Sequence, residues 1–243
     1  MNYELLVSEH NLDNTFKDFG GRNFIKVDPL KRSEMISEFM NKDEPINYVT
    51  RENMNQSLGL VVIKPEAQPI KKELIETIQR TTDVDLIEVN DTRYTPTLYR
   101  KVYGYKSFFS PSVELGVVFP PLLFSGCSGI ITGIAFKHPD NNNSTEDRQN
   151  FYKKSIVGSG PEPKPNTLRL QIRTTLNDLG FGLIDTPFAK SFDIANELVN
   201  RDSNMNLSTF NGLHCPDNIS ENWRQLDVYF TEQQISRIIK KLK

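Results

Sequence analysis

The sequence is short of three things. Two cysteines, Cys127 and Cys215, in 243 residues cannot make a disulfide framework, and no N-terminal apolar segment has the form of a signal peptide or a membrane span. Charge of either sign is nearly balanced. Lys and Arg number 29 against 31 Asp and Glu, a formal net charge of -2 with a pI near 6.0, so no overall basic field draws the chain to nucleic acid, although cations can still gather in one site. These shortages lead us to expect a reducing, cytoplasmic setting with neither nucleic acid nor membrane as partner. There are also only three histidines. What is present, 37% hydrophobic and 25% charged residues, suffices for one substantial core, either a single domain with elaborations or a domain plus a small appendage.

Residues 1 to 56 are the least readable part. Tyr3–Val7 and Asn23–Val27 have the composition of short strands, Ser33–Met40 of a helix, and Asn41–Ser57 is polar enough for a linker. From Leu58 the pattern sharpens. Leu58–Ile63 is a short apolar run that predicts a buried strand. Pro69–Arg80 carries Ile70, Leu74 and Ile78 at helical spacing behind an initial proline. Val84–Val89 reads as a strand, Thr95-Pro96 opens a second helix, and an aromatic segment runs from Tyr103 to Phe109. Ser125–Gly129 reads as a small-residue turn before a buried strand, Ile130–Phe136. His138–Asp147 reads as a mobile polar loop, and Gly158–Thr167 is too rich in Pro and Gly to be regular. Leu226–Phe230 reads as a last strand, and Thr231 with Gln234 caps a final helix whose terminal Lys240, Lys241 and Lys243 suit the negative end of its dipole. Strands alternate with helices, but the long irregular connections fit a doubly wound sheet poorly and point to an α+β sandwich.

The chemically suggestive stretch is Phe210–Asn218, which sets His214 between a carboxamide and a carboxylate. Asn218 with Glu221 forms a capping pair, and Ile219, Trp223 and Leu226 recur at helical spacing, so a helix starts near Asn218 and His214 lies on the loop leading into it. A neutral imidazole there is a competent nucleophile at physiological pH.

Further motifs follow in a telling order. Val62-Ile-Lys-Pro-Glu-Ala67 resembles the strand-end motif of the nucleoside diphosphate kinases, where the lysine contacts the transferred phosphate. Thr95-Pro-Thr-Leu-Tyr-Arg-Lys-Val-Tyr103 is similar to that family's helix ending in a phosphate-contacting tyrosine. Lys106-Ser-Phe-Phe109 resembles its base-binding segment, with Phe108 where an aromatic ring stacks on the base, and Leu123-Phe-Ser-Gly126 resembles a stretch ending in Ser-Gly. Pro165-Asn-Thr-Leu-Arg169 resembles Pro-Gly-Thr-Ile-Arg, whose arginine binds phosphate, and Asn211-Gly-Leu-His214 with Asp217 resembles Asn-x-x-His-Gly-Ser-Asp. The resemblance covers about residues 58 to 243. It implies a ferredoxin-like α+β sandwich over 57–243, an N-terminal extension over 1–56, and an insert at about 171–209 with a helix near Ser191–Val199.

It further implies a phosphotransferase in which His214 carries the phosphoryl group and Lys64, Tyr103, Phe108, Lys154, Arg169 and Asn211 bind the nucleotide. Asp217 and Gln225 stand behind them, with Mg²⁺ bound through the phosphates rather than by a protein metal site, and Asp217 its outer partner through water. Nucleoside tri- and diphosphates are the implied partners. Family members are commonly hexamers or tetramers, so a homo-oligomer is implied too, although the insert lies beside a loop that often makes subunit contacts. The chain departs from the pattern in places. Cys215-Pro216 stand for Gly-Ser, Gln225 for the glutamate that orients the imidazole, and Lys154 for a second arginine, a point charge in place of a fork. An alternative register puts Gly182–Phe188 at the histidine motif, with Asp185 in place of the histidine and hence no turnover.

Every one of these residues also has an ordinary reading. Lys64 and Lys154 can be solvated lysines, Tyr103 and Phe108 core aromatics, Arg169 a carbonyl cap, Asn211 a turn former, Asp217 a helix cap, Gln225 helix surface and Cys215 a packed side chain. Three functions stay open: a nucleotide phosphotransferase, a relative acting on an unusual nucleotide or metabolite, and a nucleotide-binding regulator without turnover.

Overall fold

The computed structural model describes residues 12–40, 55–81, 84–103, 123–139, 147–158, 164–180 and 211–243. Four antiparallel strands lie in the order β2-β3-β1-β4: β1 Leu58–Ile63, β2 Asp85–Thr92, β3 Ile131–Lys137 and the two-residue β4 Leu213–His214. All six residues of β1 are buried, as its unbroken apolar run requires of a central strand. The helices are α1 Pro29–Met40, α2 Lys71–Thr81, α3 Pro96–Tyr103, α4 Arg148–Tyr152, α5 Leu168–Asp178, α6 Ile219–Tyr229 and α7 Glu232–Leu242, with a further helical stretch at 123–128. This is the expected α+β architecture with an antiparallel sheet.

Two sequence expectations about α6 meet different ends. Asn218 does cap it, its side chain accepting from Glu221 N at 2.9 Å. The predicted strand Leu226–Phe230, however, is the last part of that helix, and only Phe230 is extended. Its β-branched and aromatic residues read as strand, but Ile219, Trp223, Leu226 and Tyr229 share the helical face that enters the core, and packing overrides local preference. The final helix keeps its capping box between Thr231 and Gln234. Asn23–Val27 is likewise no strand. It belongs to the 3-10 turn Gly21–Lys26, which buries Phe24 against Phe16 at 5.2 Å between centroids. Ser125 to Ser128 are helical, not a turn.

The described part of the N-terminal region is no separate appendage. Phe16 and Phe24 both pack on Phe124, whose ring also carries the Arg32 guanidinium at 4.0 Å, so residues 12–40 share the one core. Helix α5 runs unbroken through Gln171 and buries Ile172 and Leu176, and residues 181–209 of the expected insert lie outside the described residues. Tyr3–Val7, Ser191–Val199 and most of the 41–57 and 138–147 segments lie outside the described residues.

One strand contact yields a sharp expectation. Gly59 pairs with Phe136 across β1 and β3, and a carbon at its Cβ position would sit 2.0 Å from Phe136 Cε2. The Phe136 ring is fully buried, so it cannot swing into solvent. Gly59→Ala should therefore destabilise the fold by about 3 kcal/mol, read as a lowered urea midpoint at unchanged slope; a loss under about 1 kcal/mol would show that the ring has room to move.

Candidate functional site

The site is built where β1 ends. Lys64 N donates to Gly212 O at 2.9 Å, and the Gly212 N–H donates to Glu66 Oε1 at 2.9 Å, so the backbone of one residue is clamped from both sides. Gly212 has φ +77, and a Cβ there would press on Ile172 and Ala67 at 3.0 to 3.2 Å, which is why the motif turns on glycine. The clamp seats Leu213 and His214 opposite Ile63 and Val62. The predicted loop position of His214 is thus a short strand.

Around the ring the expected residues do gather. Lys64 Nζ reaches Asn211 Oδ1 at 3.4 Å. Tyr103 meets the His214 ring edge-on at 5.0 Å between centroids. Gln225 Oε1 is 2.9 Å from His214 Nε2. Arg169, entering from α5, donates from Nη1 to Gly158 O at 2.7 Å and from Nη2 to Leu213 O at 3.3 Å, while its buried Nε has no hydrogen-bond partner among the described residues.

Burial pushes the His214 ring down to about 3 against its hydrogen bond to Gln225, and the charges of Lys153, Lys64 and Arg169 push down with burial. The ring is therefore neutral at physiological pH. Burial also lowers the Lys64 ammonium to about 8, opposed by Glu66 and assisted by Arg169. Glu66, 1% exposed, has its carboxyl raised by burial, opposed by Lys64 and by the backbone N–H groups of Glu66 and Gly212. Burial and then the Glu66 charge hold the Tyr103 phenol protonated. Cys215 is pushed up to about 12 by burial and receives a hydrogen bond from Gln149 Nε2 at 3.1 Å, so it is a packed thiol and not a second nucleophile.

Two placements differ from the sequence reading. Beside Lys64, a lysine whose charge reaches His214 is Lys153, which also pairs with Asp217. Lys154 lines a hollow of about 450 Å³ with Lys164, Phe151 and Thr167. The cause is a wide turn, Lys153–Val157, closed by Gly158 N to Lys153 O at 2.9 Å. Such a turn holds one residue more than an α-helical one. Asp217 is tied to Lys153, and its N–H donates to Glu221 Oε2 at 2.8 Å. Phe108 and Asp185 lie outside the described residues. The sequence reading missed the part of Glu66, although that residue stands inside the quoted strand-end motif, and nothing in the sequence signalled the wide turn that brings in Lys153.

No family model and no curated protein sequence matches the chain. Solved structures do. An NDP kinase from Pyrobaculum aerophilum aligns over 74% of this chain and 98% of its own, with a TM-score of 0.50 at 16% identity. The fold is that of the nucleoside diphosphate kinases. Further matches are the Aquifex aeolicus nucleoside diphosphate kinase (TM-score 0.46, 15% identity, 73% of this chain and 97% of that one) and a Borrelia burgdorferi nucleoside-diphosphate kinase solved as a transition state mimic with vanadate and ADP (0.48, 14%, 73% and 88%). Among the described residues, no helix is long and apolar enough to cross a membrane. Nor does any group of three or more His, Cys, Asp or Glu have a metal-holding arrangement there. In this nucleoside diphosphate kinase fold, the donors around His214 are largely cationic and suit phosphate oxygens.

Proposed function

We propose that the chain is a nucleotide phosphotransferase that takes the terminal phosphoryl group of a nucleoside triphosphate onto Nδ1 of His214 and hands it to a nucleoside diphosphate. The observation that supports this best is a neutral imidazole, held through Nε2 by Gln225, under the combined charge of Lys64, Lys153 and Arg169. With the Gln225 carbonyl facing the ring, Nε2 carries the hydrogen and Nδ1 keeps its lone pair. Nδ1 attacks phosphorus in line, an N–P bond forms, and the bond to the bridging oxygen breaks so that this oxygen leaves with the diphosphate. The three cations offset the charge spread over the equatorial oxygens, and the Tyr103 hydroxyl donates to one of them. In the second half-reaction an acceptor's terminal oxygen attacks the same phosphorus and the lone pair returns to Nδ1.

Magnesium enters this scheme with the nucleotide, where it neutralises phosphate charge. Asp217, freed from Lys153 as phosphate claims that lysine, would hold the ion through water. Phe108 stacks on the base, which makes base selectivity weak because every base has a π-face.

Incubation with γ-labelled ATP tests the reading. Acid-labile, base-stable label should appear on the protein and leave on addition of GDP, whereas saturable ADP binding with no label would make the chain a nucleotide-binding module. The depressed His214 value adds a pH signature. Label uptake at saturating ATP should stay within about twofold between pH 7.5 and 5.5, where a histidine at its ordinary value would lose roughly tenfold. At subsaturating ATP it should weaken above pH 8, as Lys64 gives up its proton before nucleotide binds. An acid limb centred near 6.5 would show that the ring titrates as an exposed histidine does.

A further inference from the structure

Gln225 poses a problem that a carboxylate would not. A carboxylate can only accept from His214 Nε2, but an amide can present either its carbonyl or its NH₂, and the two choices select opposite imidazole tautomers. With NH₂ inward, Nε2 becomes the acceptor and the hydrogen moves to Nδ1, the atom that must attack. Something has to decide between them.

The hydrogen bonds behind Gln225 do so. Tyr229 OH donates to Gln225 Oε1 at 3.4 Å, and Tyr94 OH lies 2.8 Å from Tyr229 OH. Tyr94, Gln225 and Tyr229 are 2%, 2% and 1% exposed, so water does not complete this chain. Tyr94 is its end, and among the described residues its hydroxyl bonds only Tyr229. If the carbonyl faces inward, Tyr94 donates to Tyr229, Tyr229 donates to Oε1, and Oε1 also accepts from His214, so both hydroxyl hydrogens and the imidazole hydrogen of this chain have acceptors. If the amide turns over, its NH₂ donates to the Tyr229 oxygen, Tyr229 must donate to Tyr94, and the buried Tyr94 hydrogen is left with no acceptor among the described residues. An unmade buried hydrogen bond is the costly outcome. Ring contacts fix the same residues in place: Tyr94 against Tyr99 at 5.4 Å, Tyr99 against Tyr103 at 4.5 Å, and Tyr103 against His214 at 5.0 Å between centroids.

We propose that Tyr229 is a positioning residue, whose buried hydroxyl holds the Gln225 carbonyl toward His214 and thereby keeps the hydrogen on Nε2 and the lone pair on Nδ1. This rests on the proposed phosphotransfer only for its consequence in rate. The tautomer itself is read without turnover. Two variants separate this role from mere packing. In Tyr229→Phe both amide orientations leave Tyr94 without a partner, so the preference is lost. In Tyr94→Phe the Tyr229 hydrogen still has Oε1 as its acceptor in one orientation only, so the preference survives although the same inter-tyrosine bond is gone.

The experiment is ¹⁵N imidazole NMR on the full chain at pH 7, with the three histidines assigned by a His214→Gln control. Wild type and Tyr94→Phe should show His214 protonated at Nε2, and Tyr229→Phe should populate the Nδ1–H form to about a third or more. The rate of phosphoenzyme formation should fall about threefold or more in Tyr229→Phe with ADP affinity unchanged, and Gln225→Glu placed in that background should restore it, since a carboxylate cannot turn over. Nδ1–H in the wild type, or equal tautomer shifts in both tyrosine variants, or none in either, would overturn the proposal. If the wild type takes up no label while the tautomer pattern is as expected, the phosphotransfer reading fails and the positioning role stands.

Discussion

His214→Ala is expected to take up no acid-labile phosphate, a loss of at least about 10⁴-fold in phosphoenzyme formation, while binding ADP within a few-fold of wild type. The size of the effect follows from what else stands nearby. Lys64, near 8, is largely protonated at pH 7. The Tyr103 phenol is held well above its ordinary value and the Cys215 thiol is near 12, both by burial. No neighbour offers a lone pair of comparable reactivity. Binding survives because the cations keep their own supports: Lys64 on Asn211, Arg169 on two carbonyls, Lys153 on Asp217. Stability should change by only about 1 kcal/mol, the worth of one hydrogen bond to Gln225. Its pH dependence should change as well. The folded ring protonates only near 3 and the unfolded one near 6.5, so wild-type stability is lost as pH falls below 6.5; the variant should lose less over that window. The checks are γ-labelled ATP uptake, ADP titration and urea unfolding at pH 7 and 5. Undiminished label would place the nucleophile elsewhere.

How much of this could be read from residues alone depended on how local each cause was. β1, β3, α2 and α3 were legible because apolar runs and helical spacing are local, and the caps at Asn218 and Thr231 because a capping pair spans four residues. Leu226–Phe230 misled because β-branched and aromatic residues fit a strand equally well, and what decides is which face of a helix already begun meets the sheet. The site was legible as a set of types, Lys64, Tyr103, Arg169, Asn211, His214 and Gln225, since each sits in its own short motif. Its contacts were not. That the charge of Lys153 reaches the ring follows a five-residue turn invisible to composition. That Glu66 clamps Gly212 depends on two segments meeting 146 residues apart in sequence. The Tyr94–Tyr229 chain is hidden for the same reason, being an arrangement of ordinary core aromatics.

Arg169→Ala should have the second-largest effect, because the guanidinium has two tasks at once. Its Nη1 and Nη2 hold the carbonyls of Gly158 and Leu213, joining the wide turn after α4 to the strand that carries His214. Truncation leaves both carbonyls without that donor inside the protein, at about 1–3 kcal/mol each, so a total loss of about 2–6 kcal/mol in urea unfolding is expected. The same change removes a fixed cation from the place where phosphate charge develops, which should slow phosphoenzyme formation by about 10²–10³-fold beyond any loss of folded protein. Arg169→Lys separates the tasks. A lysine keeps the charge but cannot fork between two carbonyls, so it should recover most of the ADP affinity and only part of the stability. If the alanine variant, corrected for its folded fraction, labels at the wild-type rate, Arg169 is a tie between loop and strand and the phosphate charge is met by Lys64 and Lys153 alone.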